Sequence, residues 1–281
     1  MGPSAAAPIV ITGATGTIGG AAAASLAAQG HPAVLVVRDA QRGAEVRARI
    51  LQSLPGIRIE IAVCDLSLMN SVRTATASIL ARSSKLAGLI HCGAVFTRDR
   101  RETPEGFEVM FATNHLGPFL LTQGLLPALK AGSPSRVITV SAPSTTELDF
   151  ADLQSSRKFS AFNAFGATKT ANLLFSYELA RRMQGSKVTS NVFFPGVVKS
   201  RLMAEAPAVV RGLASLAGKR PEEVALALAS LATDPSLEST TGRFYKLTKL
   251  SESSAYSRDP EVQRQLWQAS ERLVASRTSV S

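Results

Sequence analysis

The chain has 281 residues, 45% of them hydrophobic and 19% charged, a composition that excludes a disordered chain and is ample for a folded core. Lys and Arg outnumber Asp and Glu by 31 to 21, and the formal net charge of +10 favours anionic ligands. The basic residues are scattered, and the densest runs, Arg98-Asp99-Arg100-Arg101 and Arg181-Arg182, lack interleaved aromatics, which argues against nucleic acid as a partner.

Ile9-Val10-Ile11 reads as a first strand, followed by an Ala-rich helix from Gly19 to Gln29 that Gly30 stops. Ala33 to Val37 is a second strand. Ala44 to Leu54 is a helix ended by Pro55-Gly56, and Arg58 to Val63 is a third strand. A helix over Ser71 to Arg82 precedes a fourth strand, Leu86 to Cys92. Asn114 to Lys130 is a long helix with Pro118 in its first turns, and Arg136 to Val140 a fifth strand. Phe165 to Met183 is a second long helix with an apolar face, followed by a strand over Val188 to Phe194. Arg243 to Leu247 is a last strand and Pro260 to Ser276 a terminal helix. Nearly all-apolar strands alternating with helices predict one α/β domain over residues 1–281, with a doubly wound parallel sheet of about seven strands and helices on both faces. Ligands of such sheets bind beyond the strand carboxyl ends. Two loops, residues 143–163 and 197–220, follow strands and are expected to cover a substrate there.

No apolar stretch reaches the ~18 residues of a membrane span. The first Lys or Arg is Arg38, so a signal peptide's basic front region is missing. Cys64 and Cys92, without a Cys-x-x-Cys, read as buried free thiols of a reducing compartment. The expectation is a cytoplasmic protein without a membrane partner or a metal.

The run Thr12-Gly13-Ala14-Thr15-Gly16-Thr17-Ile18-Gly19 follows the first strand and opens the first helix. Its glycines permit a tight turn, close backbone approach to a pyrophosphate, and close helix–strand packing. The helix start aims free N–H groups at the phosphates. Arg38, just after the second strand, is placed to pair with a 2′-phosphate and selects NADP(H), with Arg42 nearby; Asp39 is the competing, NAD-type feature.

With Cys64-Asp65-Leu66, His91-Cys92-Gly93-Ala94, Asn114-His115-Leu116-Gly117, Arg136 to Ser141, Asp152-Leu153-Gln154, Gly166 to Met183 and Pro195-Gly196, the chain resembles the short-chain dehydrogenase/reductase family over nearly its whole length. Within it the chain is most similar to the branch that contains the retinol dehydrogenases. The resemblance implies a Rossmann fold, with Asp65 and Leu66 covering the adenine. It also implies that Cys92 and Gly93 line the cofactor, and that Pro195, Gly196 and Val198 wall the nicotinamide. It implies a small-molecule substrate, and a homodimer or homotetramer pairing through the two long helices. The second glycine stands at Gly16 where the commonest form has it at the place of Thr17, and His91-Cys92 replaces an Asn pair.

The family's four catalytic positions are only half preserved. Asn114 and Lys169 match the Asn that positions a water and the Lys that holds the nicotinamide ribose. The proton-donating Tyr, four residues before that Lys, is Phe165. Ser141 matches a first, structural serine, and Ala142 stands at the catalytic serine, unless the register slips so that Ser141 or Ser144 serves. A positioned acid is worth about 10²–10⁴-fold and an oxyanion donor roughly 10²–10³-fold, and Phe and Ala supply neither. Three readings stay open. One is hydride transfer to an apolar acceptor that needs no phenol, an iminium or an activated double bond. Another is non-redox chemistry, as a cyclase, isomerase or lyase using Glu147, Asp149 or Asp152. The third is a non-catalytic dinucleotide sensor. His91, His115 and Tyr177 are weaker candidate acids.

Overall fold

The computed structural model describes residues 6–200, 202, 204–205 and 218–276. Eight strands form one sheet: β1 (Ile9–Thr12), β2 (Ala33–Val37), β3 (Ile59–Val63), β4 (Gly88–His91), β5 (Ser135–Val140), β6 (Val188–Phe194), β7 (Phe244–Lys246) and β8 (Lys249–Ser251). Their order is β3-β2-β1-β4-β5-β6-β7-β8, parallel as far as β7, with β8 antiparallel at the edge. The expectation of about seven strands is thus corrected by one. β8 is the return arm of a hairpin whose turn residue, Leu247, has a positive φ of 56°.

Strands β1, β2, β4, β5 and β6 are buried on both faces, and the period-two pleat deals their side chains to two cores. Val10, Leu89 and Val137 face Phe107, Phe119, Leu125 and Phe175 on one side. Ile9, Ile11, Leu35, Ile90 and Phe193 face Ala22, Leu26, Val224 and Leu228 on the other. The first layer holds α3 (Met69–Arg82), a short α4 (Val109–Phe111), α5 (Gly117–Ala131) and α6 (Ala161–Arg182). The second holds α1 (Thr17–Ala28), α2 (Ala40–Ser53) and α7 (Pro221–Thr233). Segment α7 has Pro221 in its first turn, with Glu222 and Glu223 favouring its positive end. Its last carbonyls are satisfied by Arg136 of β5, which donates to Leu231 O at 3.1 Å and Asp234 O at 2.6 Å.

After the short α8 (Ala255–Arg258), α9 (Pro260–Ala275) lies across α5 and α6. Trp267 stacks on Phe175 with centroids 6.0 Å apart, meets Phe119 edge-on at 5.0 Å, and takes the Arg182 guanidinium on its face at 4.3 Å. Leu266 packs on Ala171 and Leu174, and Ser270 bonds His115 at 2.8 Å. The chain's own terminal helix therefore covers the α5–α6 face that the resemblance assigns to subunit pairing. Among the described residues no helix is long and apolar enough to cross a membrane.

Candidate active site

The chain order reverses between β1 and β4, and it is beyond the carboxyl ends of such strands that doubly wound sheets form their ligand crevice. Gly13, at φ 65°, bends the chain out of β1 there; a Cβ on it would stand 2.7 Å from the Gly93 backbone. A Cβ on Gly19 would stand 2.4 Å from Gly13 O, so the turn and helix close only with glycine at both places. Gly16 caps α1 with no side-chain hydrogen bond, and no acidic residue lies in the first turn. The amides around Thr17 and Ile18 thus face the crevice without a competing side-chain anion, and Thr15 is exposed beside them. These are the features a pyrophosphate requires, and the residues fit a dinucleotide.

The far wall is tied to β1 by Thr12, whose Oγ1 accepts from the amides of Cys92 and Gly93, both at 3.1 Å. Sequence reasoning quoted Thr12 only as the start of the glycine run; a buried polar residue closing a strand was the available signal. Leu66 Cδ1 sits 2.7 Å from where a Gly93 Cβ would be, which places Leu66 against the cofactor-lining loop. Asp65 accepts from Ser67 N and Oγ at 2.9 and 2.7 Å, holding the turn after β3. At the rim, Asp39 caps α2 by accepting from Arg42 N at 3.0 Å, which engages one of its carboxylate oxygens in helix structure. Arg38 is exposed, and no described residue pairs with it. Cys64 is buried as expected, whereas Cys92 is only half-buried.

On the other side of the crevice, residues 112–116 form one wide π turn that leads into α5. It presents Asn114, whose Oδ1 accepts from Val95 N at 2.8 Å and whose Nδ2 donates to Val95 O and Thr168 Oγ1 at 3.0 and 3.1 Å. Ser141 N donates to Phe193 O, and Ser141 Oγ donates to Lys169 O at 2.9 Å. Ser144 Oγ donates to Gly166 O at 2.8 Å and accepts from Thr170 Oγ1 and Thr146 N. Both serine hydroxyls are spent on holding α6, and Ala142 sits between them without a hydroxyl.

Phe165 and Lys169 are one turn apart on α6, and the Lys169 ammonium lies 5.0 Å from the Phe165 ring centroid. Burial lowers the Lys169 pKa from 10.5 to about 8, and the neighbouring Cys92 thiol, pushed up by burial to about 12, works against that shift. No described residue hydrogen-bonds or ion-pairs with the ammonium. Phe165 packs on the cluster of Phe96, Met110 and Ala164, as do Val95 and Phe159, and Phe96 meets Phe165 at 5.6 Å and Phe162 at 5.3 Å. This aromatic wall joins the loop after β4 to the start of α6 and was not foreseen. Pro195 is buried, and Gly196, at φ 77°, carries the Lys219 side chain over it, Cε 3.6 Å from where a Cβ would be. Val198 is buried and bridges to Lys219, closing the base of segment 197–220; within it, residues 201, 203 and 206–217 lie outside the described residues. Glu205 ties that segment to the loop after β4, bonding Arg101 at 2.8 Å and Arg98 N at 3.2 Å.

The weaker candidates are drawn elsewhere. Burial holds His91 and His115 at about 3, and their Nε2 atoms bond Thr122 and Ser270 at 2.8 Å. Tyr177 bonds Ser253 Oγ at 2.8 Å and lines a cavity of about 620 Å³ between α6 and the β7–β8 hairpin, which shares no lining residue with the dinucleotide crevice. Glu147, Asp149 and Asp152 do meet, around a cavity of only about 60 Å³, roughly two waters' worth. Burial raises the Asp152 pKa, but hydrogen bonds from Ser156 and Arg157 outweigh it and bring it to about 2. Asp149 pairs with Arg157 at 2.7 Å.

A crevice at a topological switch, an uncapped glycine turn and a helix-borne lysine define a nicotinamide-dinucleotide oxidoreductase. The chain belongs to the short chain dehydrogenase family, whose model matches residues 7–209. It is similar to human retinol dehydrogenase 14, 33% identical over 95% of this chain and 85% of that one. It is also similar to mouse polyprenol dehydrogenase, 36% identical over 95% of this chain and 83% of that one. Among solved structures, an uncharacterized protein from Mycobacterium Paratuberculosis superposes with a TM-score of 0.73 at 27% identity, covering 97% of this chain and 95% of that one.

Proposed function

We propose that this oxidoreductase uses NADP(H) to move a hydride to or from an apolar small molecule whose chemistry needs no tyrosine acid, an iminium or an activated double bond. The observation that carries this is the Lys169 ammonium lying over a Phe165 ring, with no hydroxyl where the family keeps its phenol. Arg38 supports the 2′-phosphate, because one oxygen of the competing Asp39 carboxylate is engaged in capping α2. The Phe96, Phe162 and Phe165 wall supports an apolar substrate, and retinol and polyprenol, the compounds named in the relatives, are apolar alcohols. The non-redox reading has less support: of its three acids, Asp149 and Asp152 hold the loop together, around a cavity too small for a substrate. Two unpaired thiols support a cytoplasmic setting. A homodimer or homotetramer is part of the same reading, and Leu266 and Trp267 on the α5–α6 face argue for pairing through another surface.

The test is a fluorescence titration with NADPH and NADH, followed by NADPH oxidation on iminium, conjugated-alkene and saturated-ketone panels. Tighter NADPH binding, with turnover of the first or second panel, is the expected result. Bound NADPH that no panel oxidises would leave the sensor reading standing instead.

A further inference from the structure

Phe165 has no proton to give, yet a substrate oxygen that gains charge in this crevice needs one. The hydroxyls and amides of the catalytic positions and of the first turns of α6 are committed. Ser141 donates to Lys169 O, Ser144 to Gly166 O and Thr168 to Phe165 O, while the Asn114 amide serves Val95 O and Thr168 Oγ1. His91 and His115 are buried and bonded to Thr122 and Ser270. Lys169 is different: its side chain is 6% exposed, it borders the aromatic wall, and no described residue accepts from its ammonium. An ammonium has three N–H groups, so gripping the two ribose hydroxyls leaves one for a substrate oxygen.

We infer that Lys169 is the proton donor of this site and that its substrate is a conjugated carbonyl compound, not an iminium. The inference rests on the hydride-transfer reading above. Among the described residues no carboxylate compensates the ammonium: the titratable group facing it is the Cys92 thiol of the loop after β4, with the neutral Asn114 on the π turn and Phe165 on α6. That thiol stays protonated, since burial pushes its pKa to about 12. A cationic substrate would therefore sit beside an unneutralised positive charge, whereas an oxygen turning negative would neutralise it. In the reaction the substrate β-carbon takes a hydride, with its electron pair, from the reduced nicotinamide dinucleotide. The C=C electrons move to the carbonyl oxygen, and that oxygen takes a proton from Lys169 Nζ. The enol then tautomerises to the saturated carbonyl, solvent reprotonates the amine, and the dinucleotide is left oxidised.

An enolate mimic tests this without turnover. Para-nitrophenol, whose coloured anion is distinguished from its acid by absorbance, is titrated into the protein with and without saturating NADP⁺. The probe is expected to bind as the anion, with Lys169→Met weakening it by about tenfold or more and Lys169→Arg retaining most of the affinity. In the native chain, after correction for the probe's own ionisation, binding is expected to fade as pH rises through about 8. Benzyltrimethylammonium, a cation of similar shape, is expected not to compete. Equal affinity in Lys169→Met, binding of the neutral phenol, or preferential binding of the cation would each overturn the inference. A protein that fails to bind NADP⁺ refutes the cofactor reading separately, because the probe titration without dinucleotide still reports on Lys169.

Discussion

Restoring a phenol is the sharpest perturbation of this site. Phe165→Tyr adds one hydroxyl at the edge of a ring whose centroid is 5.0 Å from Lys169 Nζ. The ring is only half-buried against Phe96 and Met110, so the new group has room on its crevice side. A positioned acid lowers the barrier enough for about 10²–10⁴-fold, roughly 3–5 kcal/mol. Ala142→Ser adds an oxyanion donor worth roughly 10²–10³-fold. Both groups act on one oxygen, so the double variant is expected to exceed either single variant but fall short of their product. The assay follows NADPH absorbance with simple saturated ketones, with NADPH affinity measured separately by fluorescence. Native protein is expected near background and the double variant at least about 10²-fold above it. A folded double variant that binds NADPH as the native chain does, yet stays inert on every ketone, would refute the placement of a reacting oxygen beside Phe165.

Arg38→Ala is expected to weaken NADPH by about 1.5–3 kcal/mol while leaving NADH nearly unchanged, and equal losses in the two titrations would contradict the 2′-phosphate role. The buried imidazoles set an acid limit: His91 and His115 stand at about 3 in the fold against 6.5 when unfolded. The unfolded chain binds more protons in that window, so stability is whole above pH 6.5 and drains away as pH falls toward 3, by up to several kcal/mol. Urea midpoints measured down that range check this, and a flat profile would show that the imidazoles are not held neutral. Trp267→Ala, which empties the seat between Phe119 and Phe175, is expected to cost about 3–5 kcal/mol by the same denaturation assay; a cost near zero would mean that α9 is not anchored there.

The strands and the glycine turn were legible because parallel strands buried on both faces read as short apolar runs, and a turn with positive φ before a helix demands glycine. Around Phe165 the sequence left the serine register open, and local pattern gave no sign that Ser141 donates to Lys169 O and Ser144 to Gly166 O. Segment α7 was overlooked although Pro221, Glu222 and Glu223 are ordinary start signals; its Ala-rich face gives little amphipathic contrast. Other features lay beyond local pattern. Helix α2 starts four residues earlier than expected, because Asp39 caps it. The three-residue β8 exists only through its pairing with β7, and no local signal marks the π turn at Asn114. The aromatic wall brings Phe96 to Phe162 and Phe165 from distant parts of the chain, and no spacing rule connects them.

Deuterium tracing puts hydride transfer without a phenol to its most direct test. NADPH carrying deuterium at its transferable position is incubated with the native protein and, in turn, an iminium, a conjugated carbonyl and a saturated ketone, and the products are weighed by mass spectrometry. Label is expected in the conjugated carbonyl, and only at background in the saturated ketone. Bound NADPH that gives up no deuterium to any acceptor, or a saturated ketone labelled as fast as the others, would contradict it.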